Sequence, residues 1–261
     1  MLELHQGEVL SPAARHIGRL SHRLARHAGG RRARLAPAGA LVSLTFDDAP
    51  DSACTVGADL LARYGATGTY YVSGALIGTR TRHWRLADAD RIAAVDRAGH
   101  EIGCHTHTHA YVPSLGAAGL REEIRRNRAA LRKVVPGWKP TSFAYPYGFA
   151  SVTAKRVLRE GFGSARGIGP GLNVGLADRD LLRANPLTEA ELDAGRATAL
   201  MDEAVARGGW LIFYGHDVTD RPSPYGCTPA LLDAVLRAAA DRAIPCVSVA
   251  EGLRRAMPGP A

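Results

Sequence analysis

The chain has 261 residues, enough to bury one full hydrophobic core, and 46% of them are hydrophobic and 22% charged, as is ordinary for a soluble globular protein. No apolar stretch approaches the length of a membrane-spanning helix, which excludes an integral membrane protein of that kind. The net charge of +8 comes almost entirely from arginine. We interpret it as a solvated basic surface and expect no nucleic-acid partner, with acidic glycans or anionic membrane surfaces as the alternative.

Residues 1–38 are rich in Arg and His and are predicted to form a basic N-terminal extension. Helical spacing of Ile17, Leu20 and Leu24 predicts a helix over 13–27, packed on the outside of the domain. Four arginines flank this stripe, so a peripheral contact with a membrane surface is the less favoured alternative. The first residues lack the basic start and apolar core of a signal peptide, so we expect a cytoplasmic protein.

Residues 39–255 alternate between predicted strands and helices. Parallel strands with right-handed crossovers follow from such repeated units, and seven or eight of them favour a distorted, TIM-like (β/α) barrel of one domain. The predicted strands cover residues 41–47, 67–73, 100–105, 142–147, 162–167, 181–185, 210–214 and 245–249. The clearest predicted helices cover residues 118–135, 152–160, 189–207 and 229–240.

Polar residues stand at the C-terminal ends of several of these strands, where a barrel carries its active site. The first strand ends in Asp47 and Asp48, and the third is followed by His105 and His109. One Asp and two His form a facial set for a divalent metal with open positions for water and substrate, so Asp48, His105 and His109 are the predicted ligands. Asp47 is then the predicted general base of a metal-assisted hydrolase.

Two later strand ends add candidates. The buried strand over 210–214 leads to His216, which we interpret as the general acid, with a third metal ligand or a core histidine as alternatives. Asp217 is a candidate to fix the tautomer of the His216 ring. The strand over 142–147 carries Tyr145 and Tyr147, and the backbone N–H of Tyr147 could serve an oxyanion hole, although simple aromatic packing is nearly as good an explanation. The four cysteines are far apart and are expected to be reduced.

These motifs together closely resemble the polysaccharide deacetylases with a NodB homology domain, carbohydrate esterase family four, over roughly residues 40–250. Residues 45–48 (TFDD) match the first family motif, residues 105–109 (HTHTH) the second, and residues 143–148 (FAYPYG) look like a variant of the third. His216 stands where the last motif carries its catalytic acid. The resemblance implies the same roles for Asp47, Asp48, His105 and His109, and a zinc ion, with cobalt or nickel as alternatives.

The chain departs from the family pattern at two places. Ala144 stands where the third motif often has an Arg that pairs with the catalytic Asp, so another cation is needed, and Arg183 near a strand end is the predicted one. Tyr214 stands where a Leu often walls the acetyl pocket. The acyl pocket is therefore expected to be lined differently, which leaves formyl removal open.

The predicted function is that of a metal-dependent hydrolase that removes an N-acyl group, in the first place acetyl, from an amino sugar in a poly- or oligosaccharide or a glycan precursor. Hydrolysis of a non-sugar amide or cyclic imide on the same fold is the enzymatic alternative. A catalytically inactive glycan-binding module is less favoured, because a binder does not need both an acid and a base.

Overall fold

The computed structural model describes residues 12–257, with side chains from residue 16 onward. Its strands are β1 (Arg32–Leu35), β2 (Leu41–Asp47), β3 (Thr69–Val72), β4 (Glu101–Cys104), β5 (Ser142–Ala144), β6 (Ser164–Arg166), β7 (Gly175–Asp178), β8 (Asn185–Pro186) and β9 (Trp210–Gly215). Its helices are α1 (Pro12–His27), α2 (Ala58–Arg63), α3 (Ala89–Arg97), α4 (Ala117–Val134), α5 (Val152–Leu158), α6 (Ala194–Arg207), α7 (Pro229–Ala240) and α8 (Val249–Ala256). None of the helices within residues 12–257 combines the length and the apolar composition that a bilayer crossing requires.

Seven strands form one curled parallel sheet in the order β6-β5-β4-β3-β2-β9-β8. The interior strand β2 is buried along its whole length, because parallel strands are covered on both faces. The predicted distorted (β/α) barrel of one domain is confirmed, and β2 has the predicted bounds.

One segment joins the two edges of the curled sheet. Leu182 accepts from the N–H of Gly167 and donates to the carbonyl of Ala165, next to β6. Three residues further on, Asn185 begins β8, which pairs with β9. We call residues 181–186 the closing segment, because it connects β6 to β9 and completes the ring.

The N-terminal elements are attached to the outside of this barrel. Strand β1 pairs antiparallel with β7, and the helix α1 contacts α5. The buried Lys155 donates to the carbonyl of Ala25 and pairs with Asp178, while the guanidinium of Arg31 pairs with Asp180. The sequence predicts the helix α1, but not the short two-stranded sheet.

The strand predicted over 245–249 is wrong. Only Cys246 forms an isolated bridge, to Val42, and helix α8 begins at Val249. The hydroxyl of Ser248 accepts from the N–H of Glu251 and caps this helix. Helix α8 lies close against the barrel, since a methyl group on Gly252 would meet the Trp210 ring at 2.6 Å.

Candidate active site

The carboxyl ends of β2, β4, β5, β6 and β9 meet at one rim of the barrel, as parallel strands in one ring require. The predicted ligands Asp48, His105 and His109 come together there. The Nε2 atoms of His105 and His109 lie 3.9 Å and 3.5 Å from Oδ1 of Asp48. All three residues are buried, and one ligand atom from each lies within 4.8 Å of the others.

The chemistry of this set fits a divalent metal. Nδ1 of His105 is 2.9 Å from the carbonyl of Ala144, so the proton is held on Nδ1 and Nε2 presents its lone pair to the cluster. Burial lowers the pKa of His105, against the opposing effect of Asp47 and Asp48, and so favours the neutral imidazole that a metal needs. Two neutral imidazoles and one carboxylate form the donor set that zinc, cobalt and nickel accept.

The loop that carries both histidines is held by one buried carboxylate. Glu123 on α4 accepts from the backbone N–H groups of His107 and Thr108 and from the hydroxyl of Thr108. The hydroxyl of Thr106 accepts from the N–H of Ala110. His107 therefore contributes its backbone to the support of the loop and is not one of the clustered ligands.

Five residues other than glycine adopt left-handed backbone conformations around this cluster. The φ angles are 63° at Asp48, 50° at Ala49, 62° at Thr106, 57° at His109 and 59° at Tyr147. Each costs about 1 kcal/mol or more, and such residues concentrate at functional sites where the surroundings hold them in place. The backbone strain of this rim coincides with the predicted ligands.

The predicted base, Asp47, lies next to the cluster and pairs with a buried arginine. That arginine is Arg166, at the end of β6, whose NH2 group donates to Oδ1 of Asp47. Its guanidinium carbon lies 5.0 Å from the ring centre of Tyr71 and 5.5 Å from that of Tyr214. Asp47 and Arg166 thus form a buried ion pair, with the guanidinium held between two aromatic rings.

The prediction that Arg183 supplies this cation is wrong. Leu182 and Ala184 are buried against the barrel, so the alternating closing segment directs Arg183 outward, where it donates to the carbonyl of Pro170. The criterion that identified the other site residues, a polar residue at the carboxyl end of a predicted strand, applies equally to Arg166 in the strand predicted over 162–167.

His216 stands past the end of β9, half-buried, with its ring 4.9 Å from the ring of Trp84. Its Nδ1 is 3.3 Å from the carbonyl of Tyr225. Asp217 does not hold its tautomer, because the Asp217 carboxylate accepts from the N–H and the hydroxyl of Ser223. The carbonyl of Tyr225 orients the His216 ring instead.

The three predicted tyrosines have different environments. Tyr147 is half-buried, and its ring lies 4.6 Å from that of the predicted ligand His109. Tyr214 is half-buried beside Arg166, and burial raises its pKa to about 12. Tyr145 is wrong as a substrate contact, because it is fully buried and its hydroxyl donates to the carbonyl of Asp180.

Comparison with known proteins gives one matching family model, described as polysaccharide deacetylase, over residues 35–161. A chitin deacetylase from Arthroderma benhamiae is 30% identical over 119 residues, 46% of this chain and 31% of that protein. A chitooligosaccharide deacetylase from a Bradyrhizobium species is 30% identical over 108 residues, 41% of this chain and 46% of that protein. The chain thus spans less than half the length of these two relatives.

Solved structures extend the likeness beyond the region of the family model. A family 4 acetyl xylan esterase from Clostridium thermocellum, solved in complex with a cobalt ion, is 26% identical and superposes with a TM-score of 0.55 over 82% of this chain and 90% of that one. The matched region of the family model carries Asp47, Asp48, His105 and His109, and the structural match continues through the later strands of the barrel. The chain therefore resembles the polysaccharide deacetylase family over residues 35–161, and it shares the fold of a family 4 carbohydrate esterase over most of its length.

Proposed function

We propose that this protein is a metal-dependent hydrolase that removes the N-acyl group, in the first place acetyl, from an amino sugar of a poly- or oligosaccharide or a glycan precursor. One observation carries the proposal: a buried Asp47–Arg166 pair lies directly beside the Asp48–His105–His109 cluster at the open rim of the barrel. The deacetylases among its relatives support the substrate class.

Asp47 is the proposed general base. Arg166, held between two tyrosine rings, pairs with the carboxylate of Asp47, which accepts a proton from the attacking water. Asp47 directly precedes Asp48, so the end of the same strand places both the proposed base and the proposed ligand at the rim.

Asp48, His105 and His109 are the proposed ligands of one divalent ion, zinc in the first place and cobalt or nickel as alternatives. When bound, the ion supplies Lewis acidity toward the carbonyl and lowers the pKa of a coordinated water. The protein's part is to keep His105 in the required tautomer through Ala144 and to hold the loop through Glu123.

His216 is the proposed general acid for the departing amine. The carbonyl of Tyr225 fixes Nδ1, so Nε2 is the atom free to give up a proton, and Trp84 limits the rotation of the ring. The backbone N–H of Tyr147 is the proposed oxyanion donor, and Tyr214 the proposed wall of the acyl pocket. A tyrosine in that place makes the pocket differ from one walled by leucine, so formyl is the second acyl group to test.

We also propose domain limits and a cellular location for this protein. Residues 39–255 are the proposed catalytic barrel and residues 1–38 an N-terminal extension that is attached to it through β1. A cytoplasmic location is supported by the four cysteines, which are all free. A cytoplasmic location favours a nucleotide- or lipid-linked sugar precursor over finished wall polymer as the substrate. Cell fractionation, with activity assays on both substrate classes, tests this location.

The deciding experiment measures acetate and formate release from a panel of N-acylated sugars and oligosaccharides. Metal-stripped protein is assayed with and without added zinc, beside Asp47→Asn and the control Asp51→Asn, a neighbouring half-exposed carboxylate. Zinc-dependent release that is lost in Asp47→Asn and kept in Asp51→Asn is the expected result. Tight zinc binding without release from any sugar would contradict the proposal and favour a non-sugar amide, a cyclic imide or a binding role.

A further inference from the structure

The helix α1 has one face seated on the barrel. A methyl group on Gly18 would overlap the hydroxyl of Tyr111, so the helix can approach that closely only with glycine there. Ala25 is fully buried, and Lys155 donates to its carbonyl. His22 accepts from the N–H of Ala150 through Nδ1. These contacts fix the rotation of α1 and decide which residues face outward.

The outer face of α1, which we define as residues 16, 17, 19, 20, 23, 24, 26 and 27, is apolar on one side. Ile17, Leu20 and Leu24 are 63%, 54% and 58% exposed. At 3.6 residues per turn they share an arc of about 60°. Scattered exposed leucines are common, but three aligned on a helix that is already anchored elsewhere form an unpartnered stripe.

The other side of this outer face is basic. Arg19, Arg23 and Arg26 are exposed on the adjacent arc, and the helix contains no Asp or Glu. Within residues 12–257 none of these three arginines forms an ion pair. A helix that presents an apolar stripe and a cationic stripe side by side has the pattern of a helix lying in a membrane interface.

The basic side continues onto the neighbouring sheet. A groove of about 590 Å³ between α1, the β1–β7 sheet and α6 is lined in part by Arg26, Arg32, Arg183 and Arg207, the last of which pairs with Glu203. Leu176, 69% exposed, lies on the same sheet, paired with Arg34. Apolar and cationic side chains therefore alternate over a surface wider than one helix, which suits a sheet of anionic headgroups better than a single acidic peptide.

We propose that the outer face of α1, with the arginines of the adjoining groove, docks on an anionic lipid membrane. The leucines and Ile17 enter the headgroup region, and the arginines contact lipid phosphates. This contact is peripheral, and it does not depend on the deacetylase reaction.

Cosedimentation of the full chain with vesicles tests the proposal. We expect at least tenfold stronger partitioning to phosphatidylcholine:phosphatidylglycerol at 70:30 than to phosphatidylcholine alone, and a strong decrease with added salt. Leu20→Ser/Leu24→Ser and Arg19→Gln/Arg23→Gln should each reduce binding at least fivefold. The matched controls, Val56→Ser/Val205→Ser and Arg63→Gln/Arg97→Gln, change exposed residues of the same types elsewhere and should stay within twofold.

Three results would overturn the proposal. The first is that the wild-type chain binds both vesicle types equally or binds neither. This result is obtained without any variant. The second is an equal loss in the Arg63→Gln/Arg97→Gln control, which would mean that net charge alone acts. The third is a dimer in analytical ultracentrifugation that Leu20→Ser/Leu24→Ser dissociates, which would assign the stripe to a second copy. Melting temperatures of all variants confirm that they are folded.

Discussion

At the scale of single residues, the site depends on which charges are paired inside the barrel. Arg166 is fully buried, and its partners are the carboxylate of Asp47, the carbonyl of Gly167 and two tyrosine rings. Asp47 and Asp48 are adjacent carboxylates, and Arg166 places a positive charge directly against the first of them. The base of the proposed reaction is therefore made effective by a residue from a different strand.

Replacing Arg166 with Met should lower kcat for deacetylation by about 10²-fold or more, because the buried carboxylate of Asp47 loses its ion-pair partner. Arg183→Met serves as the control and should stay within about twofold, since Arg183 lies outside the rim. Steady-state kinetics of the zinc-loaded proteins measures both. Equal losses in the two variants would contradict the assignment of Arg166.

Glu123 offers a second test, of the loop that carries the ligands. Glu123→Gln replaces an acceptor of three hydrogen bonds and should weaken zinc binding by about 10- to 100-fold, because residues behind a ligand control its orientation. Isothermal titration with zinc measures this. The adjacent, exposed Glu122, which pairs with Arg125, gives the control Glu122→Gln, and equal affinities in all three proteins would show that Glu123 has no such role.

At the scale of elements, close approaches decide where the helices lie. Helix α8 contacts the barrel at Gly252, opposite the fully buried Trp210 ring, whose Nε1 donates to the hydroxyl of Ser43. A Cβ atom on residue 252 would lie within 2.9 Å of three atoms of this ring, so the helix cannot accept a larger residue at this position without moving.

Gly252→Ala should therefore lower the free energy of unfolding by about 1–3 kcal/mol, the usual effect of overpacking a filled site, despite alanine's better helix propensity. Gly39→Ala has open space around it and should change stability by no more than about 0.5 kcal/mol. Urea unfolding measures both. A Gly252→Ala protein as stable as the wild type would mean that α8 is not seated as described.

The sequence predicted correctly those elements whose hydrophobic pattern agrees with their burial in the structure. The buried strand β2 and the helix α7 have the predicted bounds, because a long apolar run and a clear helical period leave little choice. The run over 245–249 is short and valine-rich, which does not distinguish a strand from a helix start, although Ser248 and Glu251 carry a capping pattern. Strands β1 and β7 have four residues each and are only partly buried, so their alternation of polar and apolar residues is too short to identify them as strands.

The same distinction applies to the site. Asp47, Asp48, His105 and His109 could be predicted because each motif lies within a few residues of a strand end. The partner of Asp47 could not, since the choice between Arg166 and Arg183 depends on which face of its own strand each side chain takes. The burial of Tyr145 likewise follows from the local path of the chain, not from its spacing to Tyr147.

At the scale of the whole molecule, buried histidines couple stability to pH. Nδ1 of His100 accepts from the N–H of Gly68, which requires a neutral ring, and burial lowers the pKa of His100 below its usual 6.5. The unfolded chain then binds the proton more readily than the folded one. The contribution of neutral His100 is complete above about pH 6.5 and is lost as the pH falls below it.

In the presence of EDTA, the free energy of unfolding should therefore fall as the pH decreases from about 7 to 5, and His100→Gln should make this decrease shallower. The exposed His16 provides the control His16→Gln, which should leave the slope unchanged. Urea titrations at several pH values measure the slope. An identical slope in His100→Gln and the wild type would remove His100 from this account.

The ring of the barrel is completed at the closing segment, and this joint lies next to Arg166. Two hydrogen bonds, from Gly167 to Leu182 and from Leu182 to Ala165, connect it to the strand that carries the arginine. A local fluctuation that separates this joint would displace the guanidinium from Asp47 while the rest of the sheet stays paired. Amide protons of Gly167 and Leu182 should then exchange with solvent sooner than those of β2. The reactivity of Asp47 would depend on the opening of this joint, although the closing segment is far from β2 in the sequence.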